Sequence, residues 1–421
     1  MTQHVQRSTT IRIDLDLPLL EIGARSGLLW SREGLVLAGV GRALQIPIDR
    51  PGGFGPAAAS LAAMAGDSEL DAAGTGPLAF AALPFDPDQT GELIVPRVII
   101  GANPQGQRWL TIIDDADAGS QSVFERAMAV IETVWSGSDS NLESGSEPTD
   151  YQLRSVLRPE QWRDEVVAVA RDRIRHGDLD KTVLARELRL VTDEAISLPA
   201  VITRLNAVFP AAALFLVDGF VGASPELLVS RQGDVVRAHP LAGTAPRSTD
   251  PATDQRQLAN LLASDKDRWE HRITIDWLLD TLLPFCSYVD AEPEPSIVTM
   301  ANVHHLGTRV EGRLSTPAAP ILELVAALHP TPAVGGSPQK DALALIAELE
   351  QAQRGRYAGP TGWVDGAGNG EFVVAIRSAE IGEQQATIFA GVGVVADSDP
   401  QAELDETRAK FKAMLGALIV P

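Results

Sequence analysis

Three polar residues near the C terminus fall on one helical face. Glu403, Glu406 and Lys410 are spaced i, i+3, i+7, and the same stripe continues to Ala413 and Ala417, which are small and apolar. A purely solvated face would continue with charges. A second stripe shows the same oddity. Leu262, Lys266, Glu270, Ile273 and Trp277 lie at helical steps, which puts a lysine and a glutamate on a mostly apolar line. Buried charges are expensive unless they are paired or bound to a metal. Carboxylates from two different helices suit a hard cation such as Mg²⁺, which prefers oxygen ligands and keeps several waters. Ordinary surfaces account for the same spacings. Glu406 and Lys410 form an i,i+4 pair on an exposed helix, and long side chains snorkel from the other. Taken alone, these residues leave both readings open.

Several loops are rich in Gly, Pro and polar residues: GASPE (222–226), HPLAGTAPR (239–247), HPTPAVGGSP (329–338), RGRYAGPTGW (354–363) and AGVGVV (390–395). Glycine lets backbone approach a ligand closely and frees N–H groups to meet an anion. Each loop is weak on its own. No GxGxxG or Walker pattern stands in its proper context, and neither HExxH nor GxSxG occurs. Nucleotide binding, zinc proteolysis and serine hydrolysis therefore lack support. The His304–His305 pair is open to a metal role, but a satisfied structural pair is the plainer reading.

The chain has 421 residues, 45% apolar and 22% charged, with a net charge of −21. This is a globular composition, large enough for one big core or a few domains. The negative field disfavours nucleic acid and anionic lipid as partners. An anionic substrate would need local positive charge or a metal. One cysteine, Cys286, excludes an intrachain disulfide and a Cys-rich zinc site and fits a cytoplasmic setting. The opening MTQHVQRSTTIRIDLDLP has no apolar core, so no signal peptide is expected. No uncharged apolar stretch reaches 18 residues, so no transmembrane helix is expected.

The positioning elements can be read coarsely. Residues 136–150, SGSDSNLESGSEPTD, read as a flexible acidic Ser/Gly linker or loop between an N-terminal part (1–135) and a catalytic region (151–421). Strands are predicted at 11–17, within 27–46, at 77–86 and at 92–100. Helices are predicted at 54–66 and 125–135. After the linker come a helix at 158–176 and a strand at 181–191. Further strands are expected at 213–218, 226–231 and 234–239. A long helix at 254–284 and another at 339–352 follow. A strand at 385–395 then leads into a terminal helix capped at Ser398, with Gln401 behind it and Pro400 in its first turn. Strands and helices mix without strict βαβ alternation. This predicts a mixed α/β (α+β) fold with a large sheet core and flanking helices, not a Rossmann sheet.

The blocks KTVLAR (181–186), SPELLVS (224–230), PLAGTAPR (240–247), ASDKDRWEH (263–271), HHLGTRVEG (304–312), ALHPTPAVGGSP (327–338), RGRYAGPTGW (354–363), AIRSAEI (375–381) and AGVGVVADSDPQAELDETRAK (390–410) occur in this order. Together they resemble the chorismate-utilising enzymes, the family of isochorismate, anthranilate, aminodeoxychorismate and salicylate synthases. The resemblance covers about 155–415, and PFDPDQTGELIVP (84–96) extends it towards the isochorismate synthases. It implies one large α/β fold of sheets flanked by helices, to which both parts of the chain contribute.

It also implies a site. Mg²⁺ would be held by Glu270, Glu403 and Glu406, with Glu403 acting directly or through water. Lys181 matches the family's general base and Glu226 its general acid. Arg377 and Tyr357 match the residues that meet a substrate carboxylate. Lys410 supplies further charge, and Gly243, Thr244, His305 and Gly391 line the substrate. A base must work neutral and an acid protonated, so the lysine pKa should be lowered and the glutamate pKa raised. Members that add ammonia resemble this chain but carry Gln at position 181, and aminodeoxychorismate synthases carry Lys at Ala242. Both differences imply water as nucleophile, an isochorismate-forming isomerase and no glutamine amidotransferase subunit. Salicylate synthases share the Lys/Glu pair, and Tyr357, where some isochorismate synthases have Phe, leaves that reading open. An inactive chorismate-binding relative is a third reading, which the intact Lys181, Glu226, Glu270 and Glu406 oppose.

Overall fold

The computed structural model describes residues 6–49, 52–64, 66–115, 122–136, 148–300 and 303–419. Most of the acidic segment predicted as a linker, 137–147, lies outside the described residues. Among the described residues the chain builds two large sheets and one small one. The larger has 13 strands, the second nine, and the third three. Nearly all pairings are antiparallel, which suits sheets that pack one face on a core.

Both large sheets are assembled from distant parts of the sequence. In the larger sheet, Leu28–Arg32 pairs with Ala213–Val217. In the nine-stranded sheet, Leu78–Ala82 pairs with Pro360–Asp365. Trp30, Leu184 and Phe215 from one sheet share a continuous apolar cluster with Phe80, Val229, Trp363 and Phe372 from the other. The two sheets thus pack face to face as a sandwich. On the outer face of the larger sheet, Leu188 and Leu190 pack with Val201 and Leu205 of helix Leu198–Val208. Phe411 and Met414 of the terminal helix join the same cluster.

Several local expectations shift. The strand expected over 92–100 is two strands, Gly91–Val95 and Val98–Ala102. They lie in different sheets, because Pro96 lacks an N–H and turns the chain between them. The strand expected over 11–17 is Gln6–Arg12, whose pairing with Arg108–Asp115 stops at Arg12. Residues 222–224 of the expected loop GASPE belong instead to a fully buried strand, Phe220–Ser224, which pairs on both sides.

Helical corrections bear on the site. The helix expected over 254–284 is two, Pro251–Ala263 and Asp265–Leu282. Ser264 ends one and caps the other, its hydroxyl accepting from the Asp267 N–H. Leu262 is therefore on a separate, exposed helix end and not in line with Glu270. Within 158–176, the turn Arg163–Val167 is π-helical. Its wider turn rotates the buried face, so Val167 and Ala170 are buried while Val169 is exposed. The terminal helix Pro400–Leu418 is capped by Asp399, whose side chain accepts from the Ala402 N–H. The Ser398 hydroxyl instead accepts from the Val395 N–H.

Candidate active site

A cavity of about 480 Å³ opens where five elements meet. Strands Lys181–Thr192 and Gln385–Val394 pair over ten residues and form its floor. Helices Asp265–Leu282 and Pro400–Leu418 bring carboxylates from two sides, and strand Leu241–Pro246 brings glycine. Eleven of the twelve candidate residues line this cavity: Glu226, Gly243, Thr244, Glu270, His305, Tyr357, Arg377, Gly391, Glu403, Glu406 and Lys410. Lys181 is the exception. It is fully buried behind the lining and contacts Glu270 Oε1 through Nζ at 2.9 Å, an ion pair without the alignment of a hydrogen bond.

Each candidate metal carboxylate has a lysine partner. Glu270 has Lys181, Glu403 has Lys266 at 3.3 Å, and Glu406 has Lys410 at 2.5 Å. Burial would push the Glu270 carboxyl up, but Lys181, Lys266 and Lys410 bring it below the ordinary carboxylate range. Burial, reinforced by Glu406, raises the Glu403 carboxyl, and Lys266 only partly offsets this. Carboxylates that repel one another across a cavity suit a cation between them. Among the described residues no three His, Cys, Asp or Glu side chains come together closely enough to hold a metal ion between them, so Glu270, Glu403 and Glu406 could hold one only with water or substrate oxygens completing its shell.

On the opposite wall the side chains form a directed chain. The Arg377 guanidinium donates from Nη2 to His305 Nε2 at 3.1 Å. An arginine has no acceptor, so His305 Nε2 must be unprotonated and its proton sits on Nδ1. That Nδ1–H faces Thr244 Oγ1 at 3.1 Å. Burial, with Arg377 and Lys410 nearby, holds His305 well below the ordinary imidazole range, so the ring is neutral. The Arg377 Nε is buried without a partner, and its backbone is held at φ 54°, a conformation that costs strain in a non-glycine residue. A buried fork with a free donor is suited to a carboxylate. Tyr357 stands beside it, stacked on Phe389 with ring centroids 5.3 Å apart. His304 faces the other way. Its ring nitrogens meet Thr299 Oγ1 and Asp254 Oδ1, which makes it the satisfied structural histidine of the pair.

Glu226 is the most displaced acid on this wall. Burial pushes it up to about 7, against the pull of the Leu241 backbone, Lys181, Arg377 and Lys410. Its Oε1 is buried without a hydrogen-bond partner. It can therefore hold a proton near neutrality and present it to the cavity.

Two glycines are required by geometry. Gly243 sits at φ 80°, at an irregularity in the register between strands Leu241–Pro246 and Val303–Gly307. A Cβ on Gly393 would stand 2.4 Å from Glu270 Oε1 and 3.2 Å from Lys181 Cε. Gly393→Ala is thus expected to displace both groups and lower kcat by at least about tenfold, since small misplacements of reacting groups carry large rate penalties. Gly416→Ala is the control, because nothing lies within 4 Å of its added methyl. Steady-state rates of the two variants at matched fold, checked by circular dichroism, test this.

Some lining residues escaped the sequence reading. Lys266 was noticed only as a charge on an apolar stripe. Asp267, Val334, Ile376 and Asp405 carried no signal of their own. Asp267 looks like an ordinary helix-surface acid until the tertiary fold half-buries it, whereas Asp405 remains an exposed acid at the cavity rim, paired with Arg408.

This combination of a sheet sandwich, a carboxylate-lined cavity and a buried guanidinium fork defines a class. Residues 20–419 match the profile of the chorismate binding enzyme family, and the chain belongs to that family. Among curated relatives, it is 42% identical over 279 residues to isochorismate synthase DhbC of Bacillus subtilis, covering 64% of this chain and 70% of that protein. It is 34% identical over 348 residues to the vibriobactin-specific isochorismate synthase of Vibrio cholerae, covering 81% and 79%. The solved structure of MenF, the menaquinone-specific isochorismate synthase of Escherichia coli, superposes with a TM-score of 0.80 at 24% identity, covering 98% of this chain and 94% of that one. At that identity the likeness speaks to the fold. Among the described residues, no helix is long and apolar enough to cross a membrane.

Proposed function

We propose that this chain is an isochorismate synthase, an isomerase that converts chorismate to isochorismate with Mg²⁺. The observation that carries the reading is a buried lysine and a buried, raised-pKa glutamate serving one cavity. That cavity also holds a guanidinium fork and three carboxylates. Chorismate is a dianion. Arg377 and Tyr357 meet its enolpyruvyl carboxylate; Glu270 and Glu406, with Glu403 directly or through water, would hold Mg²⁺, which would supply positive charge for the ring carboxylate. Lys181 takes a proton from the attacking water as oxygen bonds to C2. The ring double bonds shift, the C4–oxygen bond breaks, and Glu226 gives its proton to the departing hydroxyl, which leaves as water. Atoms balance, so the product is an isomer. Water as nucleophile needs no amidotransferase subunit, and the lone buried thiol Cys286 suits a cytoplasmic setting.

The test is incubation of the purified protein with chorismate and Mg²⁺, followed by chromatographic product identification. Isochorismate without pyruvate is expected. Equimolar salicylate and pyruvate would move the chain to the salicylate synthases, a reading Tyr357 keeps in play. Chelation with EDTA should abolish turnover, and excess Mg²⁺ should restore it. Full activity after chelation would remove the metal from the reading.

A further inference from the structure

We infer that the buried Arg354–Glu350 ion pair positions the strand that carries Lys181, acting in place of a missing neighbouring strand. This rests on the role of Lys181 proposed above. Strand Lys181–Thr192 pairs along one side with Gln385–Val394 over ten residues. Its other side is covered only at the ends. Gly336–Ser337 pairs with Lys181–Thr182, and Tyr151–Arg154 pairs with Arg189–Thr192. Between them the backbone groups of Val183 and Ala185 face away from any strand.

Other groups fill the gap. The Val183 N–H donates to Gly335 O at 2.9 Å, and the Val183 carbonyl accepts from Arg354 Nη2 at 2.6 Å. The Ala185 N–H donates to Glu350 Oε1 at 2.7 Å, and its carbonyl accepts from Trp162 Nε1 at 3.3 Å. Arg354 and Glu350 hold each other through Nε–Oε2 at 2.9 Å and Nη2–Oε1 at 2.5 Å. Arg354 Nη1 also donates to Val334 O at 2.8 Å, and its guanidinium lies 4.1 Å from the Phe85 ring centre. Val183 and Val334 both line the active-site cavity.

The pair therefore mimics two rungs of a ladder and does so two and four residues beyond Lys181. Ladder backbone is normally satisfied by backbone. Here side chains of opposite charge do it, with both partners almost wholly buried, 3% and 5% exposed. A fork-on-carboxylate pair has a fixed geometry, so it sets register and not merely attraction. No substrate contact is assigned to either residue; they act through the strand.

The test uses the full-length protein with chorismate and Mg²⁺. Glu350→Gln keeps an oxygen for the Ala185 N–H but removes the charge, and Arg354→Lys keeps the charge but removes the fork. Each is expected to lower kcat by about tenfold or more, with KM for chorismate changed by less than about threefold. The solvent deuterium isotope effect on kcat should rise, because proton transfer from water becomes limiting when the base is misplaced. That ratio is independent of how much enzyme is folded. Backbone hydrogen exchange at Val183 and Ala185 should quicken, and this holds whether or not the protein turns over. A folded variant with wild-type kcat and isotope effect overturns the inference, as does wild-type exchange at those amides. A wild-type enzyme that leaves chorismate unchanged would count against the proposed function, while the exchange result still decides the tether.

Discussion

Lys181→Ala is expected to lower turnover by about 10³-fold while Mg²⁺-dependent chorismate binding survives. A positioned general base contributes about 10²–10⁴-fold, and water at neutral pH is a poor nucleophile without one. Lys181 is fully buried, with Glu270 Oε1 2.9 Å from its Nζ. Removing it deletes a proton acceptor and also leaves Glu270 without its partner. Lys181→Arg separates these two losses. Arginine keeps a cation beside Glu270 but stays protonated, so it cannot take a proton. If Lys181 acts as a base, the arginine variant is as inactive as the alanine variant. If it acts only as a counter-ion, the arginine variant recovers most of the rate. Product formation by chromatography and chorismate affinity by calorimetry give both readouts. An alanine variant that stays within about tenfold of wild type would remove Lys181 as base.

The candidate residues were legible to different depths. Glu403, Glu406 and Lys410 stood out because helical periodicity places them on a stripe that turns apolar at Ala413 and Ala417. The structure puts all three on the cavity side of one helix. Glu270 stood out for a reason that was partly wrong. Its stripe included Leu262, which Ser264 places on a different helix. The misreading came from cap chemistry: a serine in a run of helix formers looks like helix interior unless its hydroxyl is seen to cap. Arg377 carried no local signal, and Tyr357, Glu226 and His305 only weak ones: two sit in Gly/Pro loops and one in a His–His pair whose plainer reading is structural. They lie on short strands and loops, and only family resemblance gave them roles. Lys181 opens the strand predicted at 181–191, where a charge is unremarkable, and in the structure it pairs with Ser337 of Gly336–Ser337. The fold class was legible from the mixture of alternating and helical runs. Which strands meet was not, because both large sheets join segments far apart in sequence, as Leu28–Arg32 with Ala213–Val217. Long-range pairing leaves no mark in local periodicity.

Glu226→Gln is expected to lower kcat by about 10²–10⁴-fold and to remove one limb of the pH profile. The argument starts from the group's surroundings. Burial pushes its carboxyl up to about 7, so near neutrality a large share of the enzyme already holds the proton that the departing C4 hydroxyl needs. The protonated form of Glu226 is the active one, so as pH rises through about 7 this group's ionisation should make kcat/KM fall. Lys181, Arg377 and Lys410 pull the carboxyl down in the free enzyme. A dianionic substrate offsets those positive charges, so the limb in kcat should lie at higher pH than the limb in kcat/KM. Glutamine is close in shape and cannot titrate or donate a carboxylic proton. It should leave binding of chorismate near wild type and leave a low, flat rate across this range. A Glu226→Gln enzyme that keeps the alkaline limb would assign that limb to another group. One that keeps the full rate would show that the leaving hydroxyl takes its proton from elsewhere in the cavity.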